Sequence, residues 1–379
     1  TATVEVGLDD DVQSLELRAE IALGVGKGRL LDSFGRVLAS GAPVKETGLQ
    51  TGDSLTLHVR RVQLSSTFRA FATVLGDASV ETWGDVDFGG CSGAVQDVLK
   101  NVQQIQATGY AFAAILGDGS VVAWGDADHG GDSSVVQDKL KDVQQIQASS
   151  SAFAAILGDG SVVTWGNADR GGDSSAVQHQ LKDVQQIQAS VSAFAAILGD
   201  GSVVTWGDAD CGGESSAVQH QLKTVQQIQA SGSAVAFAAI LGNGSVVTWG
   251  DADRGGDSSA VQHQLKDVQQ IQASVSAFAA ILGDGSVVTW GDADCGGDSS
   301  AAQHQLKTVQ QIQASGSAFA AILADGSVVT WGDADCGGDS SAVQHQLKTV
   351  QQIQASDFAF AAILADGSVI AWGHADRLH

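Results

Sequence analysis

Four acidic loops in this chain carry carboxylates at a spacing that suits a metal: Asp126, Asp128, Asp132; Asp251, Asp253, Asp257; Asp292, Asp294, Asp298; and Asp333, Asp335, Asp339. Closely spaced carboxylates on a glycine-bent loop make the oxygen cage that Ca²⁺ takes. Each loop reads D-x-D-x-G-G-D and lacks both an oxygen ligand at its fifth position and a distal bidentate Glu. Asn167 and Glu214 keep the oxygen chemistry in two further copies, and Cys91 breaks it in the first. The favoured reading is therefore Asx turns and caps for the segment that follows, with Ca²⁺ as the competing chemistry and no metal favoured.

Other reactive side chains recur without converging. His179, His220, His263, His304 and His345 each stand in QHQL, one repeat apart, too far for a shared ion. Cys91, Cys211, Cys295 and Cys336 include no CxxC pair and read as free thiols in a reducing, cytoplasmic compartment. No Ser-His-Asp set, paired acid or phosphate loop stands out, so neither an enzyme nor a cofactor is expected. One position varies against a near-constant background. Five residues after each Trp stand Phe88, His129, Arg170, Cys211, Arg254, Cys295, Cys336 and Arg377. Such variation marks an exposed loop tip, and it either tunes a protein-binding face or drifts freely.

These residues ride on a repeat. Trp83, Trp124, Trp165, Trp206, Trp249, Trp290, Trp331 and Trp372 are 41 residues apart, except for 43 between Trp206 and Trp249. A fixed period of this size signals a repeat architecture. Each unit holds three apolar segments, as in VQQIQA (102–107), AFAAIL (111–116) and SVVTWG (161–166). VRRVQL (59–64) reads as the first of the leading strands. The Asp-Gly of GDGS joins the last two segments and signals a hairpin whose two turn residues take positive φ. Ala78 replaces the glycine in the first copy, where a strained turn is expected. DSSAVQHQLK then predicts one or two helical turns, with a short outer strand as the rival. A small antiparallel sheet cannot bury both faces alone, so the units must stack. Eight equivalent hairpins predict a closed ring, because an open stack needs polar end caps and the last copy is as apolar as the middle ones.

Residues 1–60 differ from the rest. Asp9, Asp10 and Asp11 offer an N-cap, and Val12, Leu15, Ala19, Ala22 and Leu23 follow at helical spacing up to Gly24. Thr1–Glu5 and Leu55, Leu57, Val59 alternate as strands do. The whole chain has a formal net charge of −24. This argues against a nucleic-acid partner, which needs a basic patch, and favours proteins with basic surfaces. No apolar run reaches the roughly 18 residues of a membrane span.

The order of elements in residues 1–60 resembles the ubiquitin-like fold. GRLLDSFGRVL is similar to the strand–turn–strand bearing that family's hydrophobic patch, and TGDSLTLHV to its last strand. Leu31 would take a patch position and His58 a last-strand position. The family's first strand and its free diglycine tail are missing. Residues 61–379, with FAAILGDGSVVTWG and the Gly-Gly loop, resemble the regulator of chromosome condensation repeats. Here the units are shorter, and Phe112, Phe153 and Phe194 replace that family's strand histidine. The resemblance implies a mainly β chain: a closed β-propeller of eight blades, or the family's usual seven, behind a small α+β domain. Together the two resemblances suggest the propeller-bearing HECT-type ubiquitin ligases. They imply a non-catalytic protein-binding scaffold, with two alternatives. One is the substrate-binding fragment of such a ligase. The other is a structural subunit of a large assembly holding a basic partner surface.

Overall fold

The computed structural model describes residues 1–232 and 235–374. The chain is mainly β, with eight three-stranded sheets in sequence order. It divides into two compact units, Thr1–Ile146 and Gln147–His379.

The first unit opens with a helix, Val12–Leu23, capped by Asp11 Oδ1, which accepts from Ser14 N at 2.8 Å. Gly24 ends it at φ 68°, the left-handed conformation that glycine adopts without a Cβ clash. Val12, Leu15 and Ala19 pack with Leu30 and Leu38 in a small core. Buried Glu16 ties the helix to that core, with its Oε1 accepting from Leu30 N at 3.3 Å. Desolvation raises its pKa against the hydrogen bonds that lower it. Arg29–Leu31 pairs antiparallel with Thr56–His58. The strand expected at Thr1–Glu5 does not form. Val4 and Val6 instead lean on the small core as side chains, without a ladder.

The sheets follow one plan. In the fourth, Val184–Ala189, Ala193–Leu198 and Val203–Gly207 lie antiparallel in that order. Phe194 pairs with Trp206 across the hairpin, and their rings stack at 5.2 Å. The leading strand of the first sheet is Gln63–Ser66 rather than Val59–Leu64. Pairing of Gln63 with Val74 sets that register, and the 41-residue period then aligns Arg61, not Val59, with Val102.

The hairpin turn also differs from expectation. In Gly158-Asp159-Gly160 only Gly160 takes positive φ, 77°. Gly160 N donates to Leu157 O at 2.9 Å, and Leu157 N donates to Ser161 O at 2.9 Å. This is a type I turn followed by a left-handed glycine, the usual three-residue hairpin. Asp159 Oδ1 secures it by accepting from Ser161 N at 2.9 Å and Ser161 Oγ at 2.6 Å. Ala78 keeps the same turn at φ 65°, with the strain that a Cβ brings there.

DSSAVQHQLK forms neither an α-helix nor an outer strand; it runs as consecutive turns, with one short 3₁₀ stretch at Gln137–Lys139. Side chains, rather than a backbone ladder, hold it. Ser174 Oγ donates to Gln178 Oε1 at 2.8 Å, and Gln178 Nε2 donates to Val162 O at 2.9 Å. Leu181 plugs the space between two sheets.

Stacking then repeats one interface. Ala152, Ala154, Ile156 and Val162 of the third repeat meet Val184, Ile187, Phe194, Ala196, Val204 and Trp206 of the fourth. The same cluster forms between the first and second repeats and between later neighbours in the second unit. The first repeat departs on its Phe/Trp face. Arg61, Thr73 and Glu81 stand where the second repeat has Val102, Ala114 and Val122. Phe71 and Trp83 on that face are 41% and 46% exposed. The last repeat keeps the usual Ala/Ile/Val face, with Ile363 and Val369 exposed.

Candidate functional site

The candidate carboxylates and the variable position lie at one end of each sheet, in the loop after Trp-Gly, while the QHQL histidines lie further on, in the turn segment. Gly207, at φ 103°, turns the chain out of the third strand. Asp208 caps the 3₁₀ turn Ala209–Cys211, and Gly212 closes it at φ 84°. The glycine at this closing position is doubly required. At Gly171, φ is 94° and a Cβ would lie 2.5 Å from Phe194 Cδ2 of the next repeat. The carbonyl of Gly171 accepts the indole N–H of Trp206 at 3.1 Å. Trp124, Trp249, Trp290, Trp331 and Trp372 make the same bond to the preceding repeat's glycine.

This geometry gives the first and third carboxylates of each loop a local partner. Asp126, Asp251, Asp292 and Asp333 accept from the backbone N–H of Asp128, Asp253, Asp294 and Asp335 at 2.8–3.0 Å. Asp132, Asp257, Asp298 and Asp339 accept from the N–H of Ser134, Ser259, Ser300 and Ser341 at 2.8 Å. Those serine bonds hold the second group's pKa values below the usual carboxylate value. Among the described residues no three His, Cys, Asp or Glu side chains come together as a metal site. The five QHQL histidines are each exposed.

The variable position is less exposed than its variation implies. Arg170 and Arg254 are exposed; Phe88, His129, Cys211 and Cys295 are half-buried, and Cys336 is buried. Arg377 lies outside the described residues. The backbone at this position is fixed from the turn between the first two strands of the same repeat. Ser190 Oγ donates to Cys211 O at 3.1 Å and Ser315 Oγ to Cys336 O at 2.8 Å. The four cysteines are free thiols, and burial raises the pKa of Cys211 and Cys336. A raised thiol pKa makes these two poor nucleophiles.

In the first unit this end of the sheets carries an aromatic group that the sequence reading missed. Phe68 and Tyr110 pack edge to face at 5.3 Å, Phe88 and Tyr110 stack at 5.1 Å, and His129 lies 4.2 Å from Tyr110. Arg69 sits over the Phe88 ring at 5.1 Å. His129 Nδ1 lies 2.9 Å from Asp126 Oδ1, and that bond is the main reason the Asp126 pKa is lowered. The available signal was compositional. Tyr110 is the chain's single tyrosine, and the later repeats put Ser151, Ser192, Val235, Ser276, Ser317 and Phe358 at its position.

No family model matches the chain, and no curated protein matches it. Among solved structures it is similar to Prp20p from Saccharomyces cerevisiae, a structure reported with that protein's binding to Gsp1p and histones. The identity is 17% over 60% of this chain and 71% of that one, with a TM-score of 0.40. It is similar to the computationally designed Ika8 protein at 16% identity, over 82% of this chain and 95% of that one, with a TM-score of 0.39. It is also similar to Chaetomium thermophilum Sqt1, solved with the N-terminus of ribosomal protein L10, at 14% identity over 82% and 96% of the two chains, TM-score 0.38.

Proposed function

We propose that this chain is a non-catalytic scaffold that binds other proteins through the loop end of its repeats. The observation that carries this reading is the contrast within each loop. The backbone takes the same 3₁₀ turn closed by a left-handed glycine in copy after copy, with a Thr or Ser hydroxyl bonded to it in six of them, while one side chain changes from Phe to His, Arg or Cys. A rigid frame presenting variable side chains is how a scaffold displays contacts without ordering cost on binding. The acidic composition favours partners with basic surfaces. A photo-crosslinker at Arg170 or Arg254 should capture a protein partner, whereas one at Asp159 or Asp284, on the hairpin turns, should not. Equal capture from all four positions would defeat the assignment of the loop end.

The finer parts of the reading rest on separate support. Residues 1–60 are read as a ubiquitin-like segment. Its support is the helix Val12–Leu23 packed on the Arg29–Leu31 and Thr56–His58 pair, with Leu31 half-buried and His58 exposed. On that reading the scaffold works in the ubiquitin pathway, as the substrate-binding part of a ligase. Residues 61–379 are read as an eight-bladed ring. Its support is the near-equivalence of the contacts between neighbouring repeats, since one constant rotation of about 45° closes eight units.

A further inference from the structure

We infer that the aromatic group on the first two repeats is a docking hot spot for an arginine-bearing basic segment of a partner protein. The inference rests on the scaffold reading above and names the chemistry of its partner.

Four observations carry it. First, the group presents an exposed ring where core aromatics do not: Phe68 is 67% exposed and its neighbours Phe88, Tyr110 and His129 are half-buried, while Phe112 and Phe153 are fully buried. Second, it is held in place before any partner arrives. Phe68 N donates to Gly109 O at 3.0 Å, and Phe68 lies over Gly109 so closely that a Cβ there would be 2.4 Å from its ring. Aromatic side chains already fixed in place lose little entropy on binding, and hot spots are rich in Trp, Tyr and Arg. Third, the rim is acidic, with Asp85, Asp87, Asp126 and Asp128 on the two flanking turns. Fourth, the site already holds a guanidinium. Arg69 lies over Phe88 at 5.1 Å with the Asp85 carboxylate 4.0 Å away. An incoming arginine would find the exposed Phe68 ring, backed edge to face by Tyr110, with the acidic turns supplying the carboxylates. The last repeat has Phe358 at the Tyr110 position, but the repeat before it has Gly316 and Cys336 where Phe68 and Phe88 stand, so the full aromatic group occurs once in the sequence.

The test uses the full chain and a fluorescein-labelled peptide of alternating arginine and glycine, followed by anisotropy at physiological salt, where screening acts beyond about 8 Å. Lysine–glycine and glutamate–glycine peptides run beside it. The expected order is arginine, then lysine, with no glutamate binding. Phe68→Ser with Tyr110→Ser should weaken the arginine peptide about tenfold, the scale of one desolvated cation–π contact. Asp251→Asn with Asp253→Asn, which removes two negative charges from a later loop and leaves the aromatic group intact, should change affinity less than about twofold. If the serine variant loses its thermal transition, Phe68→Leu with Tyr110→Leu keeps the bulk, removes the ring faces, and should show the same loss. Equal binding by wild type and both aromatic variants overturns the inference, as does preference for the glutamate peptide or no arginine binding. An equal loss in the Asp251 and Asp253 variant would mean that net charge alone attracts the peptide, and this also overturns it. Any of these failures alongside loop-end photo-crosslinking would sink the hot spot and leave the scaffold standing.

Discussion

Thr224, Thr308 and Thr349 sit at φ 58°, 60° and 62°, in the left-handed region that β-branched residues avoid. Equivalent positions in other repeats carry Asn101, Asp142, Asp183 and Asp267 at φ 55–57°. Asn and Asp tolerate this conformation, because a short polar side chain bonds its own backbone there. Thr308→Asn should therefore stabilise the protein by about 1 kcal/mol, read as a higher denaturant midpoint. An unchanged midpoint would mean that the strain is relieved in some other way. Nothing in the sequence alone pointed to this position, since Thr-Val is ordinary strand composition. The tryptophans were legible. Trp206 is 4% exposed, stacked on Phe194 and bonded to Gly171 O. Trp206→Ala should cost about 3–5 kcal/mol. Trp206→Phe should recover the packing but leave the glycine carbonyl unpaired, a loss of about 1–3 kcal/mol. A thermal melt that ranks the two variants the other way would refute this division.

Among the elements, the strands and the Asp11-capped helix could be read from apolar spacing and cap residues. The turns were only half readable. Asp-Gly announced the hairpin, but the choice between a two-residue turn and the observed three-residue turn depends on where pairing resumes, which lies in the partner strand. The DSSAVQHQLK segment misled because serine followed by an apolar pattern also describes a string of side-chain-bonded turns. The hairpin turns have a pH signature. Asp118, Asp159, Asp200, Asp284, Asp325 and Asp366 have lowered pKa values, chiefly through the side-chain bond from the serine two residues on. A carboxyl whose folded pKa lies below its unfolded value of about 3.9 contributes stability that is complete above that pH and is lost as pH falls through the folded value. The melting temperature should therefore fall steeply below about pH 4. Changing the paired serines to alanine should flatten that fall. An equally steep fall in the alanine variant would place the acid sensitivity elsewhere.

For the whole molecule, ring closure makes a sharper demand than the sequence suggested. Interior junctions place valine and alanine against Ala, Ile and Val, but a first-to-last junction would desolvate Arg61 and Glu81. Closure thus predicts seven strong junctions and one weak one. Leu64→Cys with Ile363→Cys, after replacing the four native cysteines with serine, should crosslink within one molecule under mild oxidant. Adding Arg61→Val and Glu81→Val should speed the reaction. No crosslink in either background, with an elongated small-angle scattering profile, would end the closed-ring reading. The apolar last repeat was legible from composition. The polar first repeat was not, because its altered residues stand out only once the strand register is known.

The near-identity of the junctions also bears on how the chain finds its fold. When one repeat's Ala/Ile/Val face fits the Phe/Trp face of almost any other, a collapsing chain can dock the third repeat on the sixth about as well as on the fourth. Such mispairing loops out whole repeats or exchanges them between neighbouring molecules, so refolding yield should depend on protein concentration. Arg61 and Glu81 are what break the degeneracy. A face bearing two charges is a poor receptor in any interior pairing, so among eight interchangeable units one is marked as the beginning.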